Sequence, residues 1–320
     1  MKRLEPVAIE EVRAARGRIA DSVLRLPLVR LSVEDAPAEI YLKLENLQPI
    51  GSFKLRGAGN AMAKAGREAL ARGVTTASAG NMAQGVAWNA RRLGIPCTVV
   101  VPDSAPRAKL DAIERLGARV VPVPYERWWQ VIVEHGYPGL EGLFIHPVSD
   151  PDVMAGNATI GLEILEDLPG VDAVVVPYGG GGLSCGIASA LRALAPRCKV
   201  WAAEVESAAP LAASFAAGKA SAIEHRTSFM DGIGGRSVLA EMWPLASTLL
   251  AGSLVVSLPE VASAIRLLAT RNRVVAEGAG AASVAAALTG KAGRGKVVCV
   301  VSGGNIDPAK LAKILEGGVP

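Results

Sequence analysis

The chain has 320 residues, of which 50% are hydrophobic, 20% charged and 4% aromatic. That balance excludes disorder and supports a large aliphatic core, spread over about two domains at roughly 150 residues each. The 34 Lys and Arg residues against 30 Asp and Glu leave a net charge of +4. The basic residues are dispersed and form no clustered patch, so no nucleic-acid partner is expected. Cys97, Cys185, Cys198 and Cys299 are too far apart for a CxxC pair. Without a signal peptide, they indicate a reduced, cytoplasmic protein. The longest uncharged apolar stretch, around Ala279–Leu288, falls far short of the roughly 20 residues needed to span a membrane.

In chain order, a helix is predicted at Asn81–Arg92, closed by Gly94, then a strand at Thr98–Val101. A helix at Arg107–Leu116, stopped by Gly117, leads to a strand at Arg119–Val123 that Pro122 weakens. A strand at Ala173–Val176 and a helix at Leu183–Leu194, closed near Pro196, follow. Lys199–Ala203 reads as a strand, Leu258–Arg271 as a helix and Lys296–Val301 as a strand. Short apolar strands alternating with helices indicate an α/β protein with mostly parallel sheets covered on both faces. The segment 73–150 holds its own βα units and ends in the turn-rich His146–Asp152. It reads as a smaller domain inserted between 1–72 and 151–320.

Three segments carry chemistry. Gly179–Gly182 follows a strand and opens a helix. Consecutive glycines let a ligand approach the backbone amides, and the helix N-terminus adds positive charge, so this is a phosphate cradle rather than a plain turn. The dinucleotide fingerprint GxGxxG fails, because Leu183, Ser184 and Cys185 stand where glycine is required, and no Gly-Lys-Ser/Thr follows for a nucleotide loop. Lys54 lies in GSFKLRG, with Gly51, Ser52 and Gly57 marking a turn at a helix start. A lone lysine there reads first as a snorkelling surface side chain, but at such a turn a desolvated lysine has a lowered pKa and can form a Schiff base. Ser302, in the Ser302–Asn305 motif SGGN, follows a strand, where open α/β sheets bind ligands.

GSFKLRG, SAGNMAQG (Ser78–Gly85), GGGGL (Gly179–Leu183) and SGGN stand here in the order seen in fold-type-II pyridoxal-phosphate enzymes. The chain most resembles their threonine/serine dehydratases and serine racemases, over nearly its whole length. The resemblance implies a tryptophan synthase β-like fold, with two open, twisted, mostly parallel-sheet domains and pyridoxal 5'-phosphate between them. It implies that Lys54 binds the cofactor and acts as general base. Phe53 packs on the pyridine ring and Asn81 bonds its phenolic oxygen. Gly179, Gly180, Gly181, Gly182 and Leu183 hold the phosphate, and Ser302 faces the ring nitrogen. Ser78, Ala79, Gly80 and Asn81 receive the substrate carboxylate, and Glu277 is a secondary residue near the cofactor. The implied activity is dehydration and deamination of L-threonine or L-serine to a 2-oxo acid and ammonia, by a homodimer or homotetramer. The 15 residues after Asn305 suffice for one closing helix, so no C-terminal regulatory domain is expected.

Three positions depart from the family pattern. Ala79 replaces the serine that racemases use as their second acid/base, which favours elimination over racemisation. Met82 stands where many dehydratases have histidine, which leaves open another β-hydroxy amino acid of the 3-hydroxyaspartate or phenylserine type. A divalent cation, Mg or Ca, would use Glu204 and the Ala208 carbonyl. Pro210 replaces a family aspartate there, and a hard cation prefers six or more oxygens. Serine racemase, a β-replacing transferase and a non-catalytic cofactor-binding homologue are the remaining rivals. Tyr125, Trp128, Trp129 and Tyr137 read as packing at the small domain's rim. His135, His146, His225 and Asp231 read as turn or surface residues.

Overall fold

The computed structural model describes residues 4–230 and 232–320. Asp231 lies outside them. In chain order the elements are α1 (Ile9–Ile19), β1 (Leu28–Arg30), β2 (Glu39–Lys43), α2 (Lys54–Leu70), β3 (Val74–Ala77) and α3 (Asn81–Leu93). Then come β4 (Cys97–Pro102), α4 (Arg107–Glu114), β5 (Arg119–Val123), α5 (Tyr125–Glu134), β6 (Leu143–Phe144) and α6 (Pro151–Asp167). Next are β7 (Ala173–Pro177), α7 (Gly182–Leu194), β8 (Lys199–Val205), α8 (Pro210–Ala217), α9 (Trp243–Leu249) and β9 (Gly252–Val256). The chain continues through α10 (Leu258–Leu267), α11 (Gly278–Leu288), β10 (Lys296–Val300) and α12 (Pro308–Leu315).

The strands form two sheets. The larger has the order β1-β2-β10-β7-β8-β9, parallel except where β1 meets β2. The smaller has the order β5-β4-β3-β6, all parallel, and draws every strand from Val74–Phe144. Alternation explains why the larger sheet is apolar throughout. Ala173 and Val175 of β7, with Val297 and Cys299 of β10, pack on one face with α10 and α11. Val174 and Val176, with Val298 and Val300, pack on the other face with α6 and α7. Each strand buries both sets of side chains, as a parallel sheet requires.

Three expectations changed. Pro122 does not weaken β5, because β5 is the edge strand of its sheet, and there a residue without an N–H breaks no ladder on the open side. The helix expected at Leu258–Arg271 is α-helical only to Leu267 and ends in a π-helical turn, Leu268–Asn272. Its start is firm, since Ser257 and Glu260 form a reciprocal capping box. Helix α6 begins inside the stretch read as a turn: the Asp150 carboxylate caps it by accepting from the Asp152 and Val153 amides. Among the described residues no helix is long and apolar enough to cross a membrane.

Candidate active site

The carboxyl ends of both sheets face one cavity of about 360 Å³. Pro177 ends β7, Ser302 follows β10, Ser78 follows β3 and Pro102 ends β4, and all four line it. The N-termini of α2, α3 and α7 supply Lys54, Asn81 and Gly182 to the same wall. This is the crevice that parallel sheets open at their strand ends.

Lys54 is the first residue of α2, and the turn before it is clamped by the SGGN loop. The Phe53 amide donates to the Ser302 carbonyl at 3.0 Å, and the Gly304 amide donates to the Gly51 carbonyl at 2.9 Å. Gly51 has a φ of +71°, and a Cβ there would lie 2.7 Å from Asn305 Oδ1, so glycine is required. Lys54 Nζ donates to the Pro147 carbonyl at 2.9 Å and lies 5.1 Å from the Phe53 ring centroid. Burial pushes the amine down to about 8, with the Glu277 charge opposing that shift. Near neutrality the group therefore sheds its proton far more readily than an ordinary lysine.

Asn81 opens α3 and is held on both sides. Its Nδ2 donates to Glu277 Oε1 at 2.8 Å, and its Oδ1 accepts from Asn305 Nδ2 at 2.8 Å. Asn305 also donates to the Ile50 carbonyl at 2.9 Å. Glu277 is buried, and its amide donates to the Gly303 carbonyl at 3.0 Å. A Cβ at Gly303 would fall 2.4 Å from Glu277 Oε1, so the glycine gives that carboxylate its room. Ser302 is buried at the cavity edge. The loop 78–80 also lines the cavity, and Ser78 Oγ accepts from the Gly80 amide at 3.1 Å.

The glycine loop fits a phosphate. Gly181 has a φ of +100° and stands at the N-cap of α7, whose first-turn amides face the cavity side with the helix dipole behind them. A Cβ at Gly180 would meet Val148 Cγ2 at 2.5 Å, and one at Gly182 would meet the Val148 carbonyl at 2.6 Å. Leu183 closes the loop against the core. An amine near pH 8, a fixed amide, a neutral hydroxyl and an anion cradle around one cavity match the donor set that pyridoxal phosphate needs.

Glu204, expected to hold a cation, has protein partners for both of its oxygens. Glu204 Oε1 accepts from the Leu211 amide at 2.9 Å, and its Oε2 accepts from the Ala212 amide at 2.8 Å and Ser253 Oγ at 2.6 Å. Pro210 is the first residue of α8, so the carboxylate serves as that helix's cap. Ala208 folds back on Val205, its amide donating to the Val205 carbonyl at 2.9 Å. Among the described residues no three His, Cys, Asp or Glu gather to hold an ion.

Other placements also differ. Tyr125 and Trp128 line the cavity rather than a remote rim, their ring centroids 5.6 Å apart, with Met82, Lys109 and Ile233 beside them. Arg236 stacks on Tyr125 at 5.1 Å. Met82 is buried. His146 is buried at 2% exposure, whereas His135 and His225 are exposed as expected. Pro147, Val148 and Asn305 were missed as site residues; Asn305's signal was its place in SGGN.

This chain is a pyridoxal-phosphate dependent enzyme: that family's model matches residues 19–303. It is 40% identical over 322 residues to an L-threonine ammonia-lyase of Thermotoga maritima, covering 98% of this chain and 79% of that protein. It is 37% identical over 329 residues to a catabolic L-threonine dehydratase of Staphylococcus aureus, covering 98% and 93%. Among solved structures it superposes on maize serine racemase with a TM-score of 0.88, at 30% identity and 98% coverage of each chain.

Proposed function

We propose that the protein is an ammonia-lyase acting on L-threonine or L-serine, giving 2-oxobutyrate or pyruvate and ammonia. The observation that carries this reading is the Lys54 amine at the wall of a cavity that also presents a glycine phosphate cradle, with burial lowering its pKa. The threonine-directed names of relatives at 37% and 40% identity over nearly the whole chain support it. Bound there, pyridoxal phosphate supplies an electron sink that weakens the bonds to the substrate's Cα.

The protein's own residues do the rest. Lys54 would hold the cofactor, with Phe53, Asn81, the 179–183 loop and Ser302 around it. Amides of 78–81 at the start of α3 would take the substrate carboxylate. Freed by the incoming amine, Lys54 Nζ would take the Cα proton, a task suited to an amine with a lowered pKa. The Pro147 carbonyl lies beside Nζ, 2.9 Å away, and accepts from it as the free amine. Ser302, a neutral hydroxyl, would give a bound cofactor's ring no carboxylate partner, which would favour loss of the β-hydroxyl over charge build-up on the ring. Ala79 has no proton to return to Cα, so elimination outruns racemisation. Residues 73–150 are read as the substrate-loop domain, 1–72 and 151–320 as the cofactor-binding domain, and the enzyme as a cytoplasmic homodimer or homotetramer.

A second reading has its own observation. Met82, Tyr125 and Trp128 give the cavity an apolar, aromatic side, which favours a bulkier β-hydroxy amino acid. One panel tests both. Ammonia and 2-oxo acid are measured from serine, threonine, 3-hydroxyaspartate and phenylserine, with Lys54→Ala as control. The lyase reading requires release from threonine or serine, abolished in the control. Activity confined to phenylserine would hand the result to the second reading. Borohydride reduction must label Lys54 with the cofactor, and failure to do so would sink both.

A further inference from the structure

We infer that His146 is a positioning residue: its imidazole fixes the turn that aims the Pro147 carbonyl at Lys54 and backs the glycine loop with Val148. The hydrogen bonds determine its tautomer. Nδ1 lies 3.1 Å from the Val148 amide and 2.8 Å from the Ser149 amide, and both are obligate donors. Nδ1 must therefore carry a lone pair. Nε2 lies 3.1 Å from the Ile132 carbonyl, an obligate acceptor, so Nε2 carries the proton. The ring is neutral, in keeping with the burial that pushes it down to about 3.

The position of this ring gives the inference its force. Accepting from residues two and three further along the chain reproduces an Asx turn, normally made by a shorter side chain. The residue after the turn, Asp150, caps α6, so the segment is pinned at both ends. Between the pins stand Pro147, whose carbonyl accepts from Lys54 Nζ, and Val148, the atoms that a Cβ at Gly180 or Gly182 would strike. Nε2 ties the same turn to the end of α5, the helix that brings Tyr125 and Trp128 to the cavity. One imidazole thus joins the small sheet's outer helix to both halves of the cofactor site. His135, at a φ of +57° after α5, stacks on it at 4.2 Å.

Two variants separate the ring's two bonds. His146→Asn keeps an acceptor at the Nδ1 position, able to make a true Asx turn, and loses the donor to Ile132. His146→Gln reaches Ile132 with its amide N–H but puts carbon where Nδ1 stood, so the Val148 and Ser149 amides lose the acceptor at that position. The measurements are cofactor dissociation by fluorescence titration, kcat and KM for threonine, and thermal midpoint. The expected result is near wild-type cofactor affinity and kcat in His146→Asn, with kcat down about 100-fold and weakened cofactor binding in His146→Gln. Equal losses in the two variants, or the larger loss in His146→Asn, would overturn the inference and leave His146 a packing residue. The inference rests on Lys54 being the cofactor lysine. If the wild-type protein bound no cofactor, that reading would fail first; wild-type binding with indistinguishable variants defeats only the role of His146.

Discussion

Lys43 and Lys54 are two lysines of one lobe, the first fully buried and the second half-buried at the cavity wall, and they are handled in opposite ways. Lys43 has no exposed side-chain surface and meets Glu163 Oε2 at 2.5 Å, while also donating to the Leu26 carbonyl. Glu163 accepts from Arg56 Nη1 at 2.7 Å as well, and Arg56 makes a two-pronged pair with Glu45, both contacts at 2.8 Å. Two cations face two carboxylates, and Thr159 Oγ1 takes one more Arg56 proton at 3.0 Å. Burial works against the Glu163 carboxylate, but Arg56 and Lys43 outweigh it and hold its pKa below the ordinary value. Lys54, by contrast, has a carbonyl for a partner and the Glu277 charge to hand, and burial wins. A saturated buried charge is fixed and structural. An under-compensated one is a proton acceptor in waiting.

The same substitution should therefore act with opposite sign at the two sites. Lys43→Met leaves Glu163 with one cation fewer inside the protein and should destabilise by about 3–5 kcal/mol, read by denaturant unfolding. Gly180→Ala drives a methyl into Val148 and should cost about 1–3 kcal/mol. Its cofactor affinity should fall further than its stability, checked by fluorescence titration.

In cofactor-stripped protein, Lys54→Met should instead stabilise, by about 1–2 kcal/mol at pH 7 once water in the cavity is allowed for. The sign follows from linkage. The folded amine titrates at about 8 against an ordinary 10.5, so the unfolded chain binds more protons between those values. Wild-type stability should rise with pH across that window. The advantage of Lys54→Met should shrink over it and vanish above about 10.5. An unchanged difference across that window would show that Lys54 is not under-compensated. The smallest effect belongs to exposed pairs: Asp111→Asn, which breaks a surface contact to Arg107, should leave the unfolding midpoint unchanged within error.

The site was legible where chemistry depends on a short stretch of backbone. Glycines at 179–182 read as an anion cradle because their φ range and missing Cβ are local properties, and the structure shows why a methyl fails there. Lys54 was legible through its neighbours Gly51 and Gly57. The partners of Glu204 were not legible, because a carboxylate after a strand looks alike in sequence whether it meets a cation or two helix amides. Tyr125 and Trp128 looked like packing residues, since nothing in their helix says which face turns to the cavity. His146 sat in a turn-rich stretch whose polarity suggested surface.

The sequence by itself determined the alternation of strands and helices, the glycine loop, the lysine turn and the SGGN loop. These follow from side-chain pattern and turn chemistry within about ten residues. Only the tertiary structure decided that Asn81 meets Glu277 and Asn305, 196 and 224 residues away, and that Lys54 meets Pro147 across 93. It also decided that the Lys43 and Arg56 charges are paired with carboxylates, whereas Lys54 meets a carbonyl. Hydrogen-bond partners and desolvation depend on what other elements bring alongside, and the closing of two sheets over one crevice sets that.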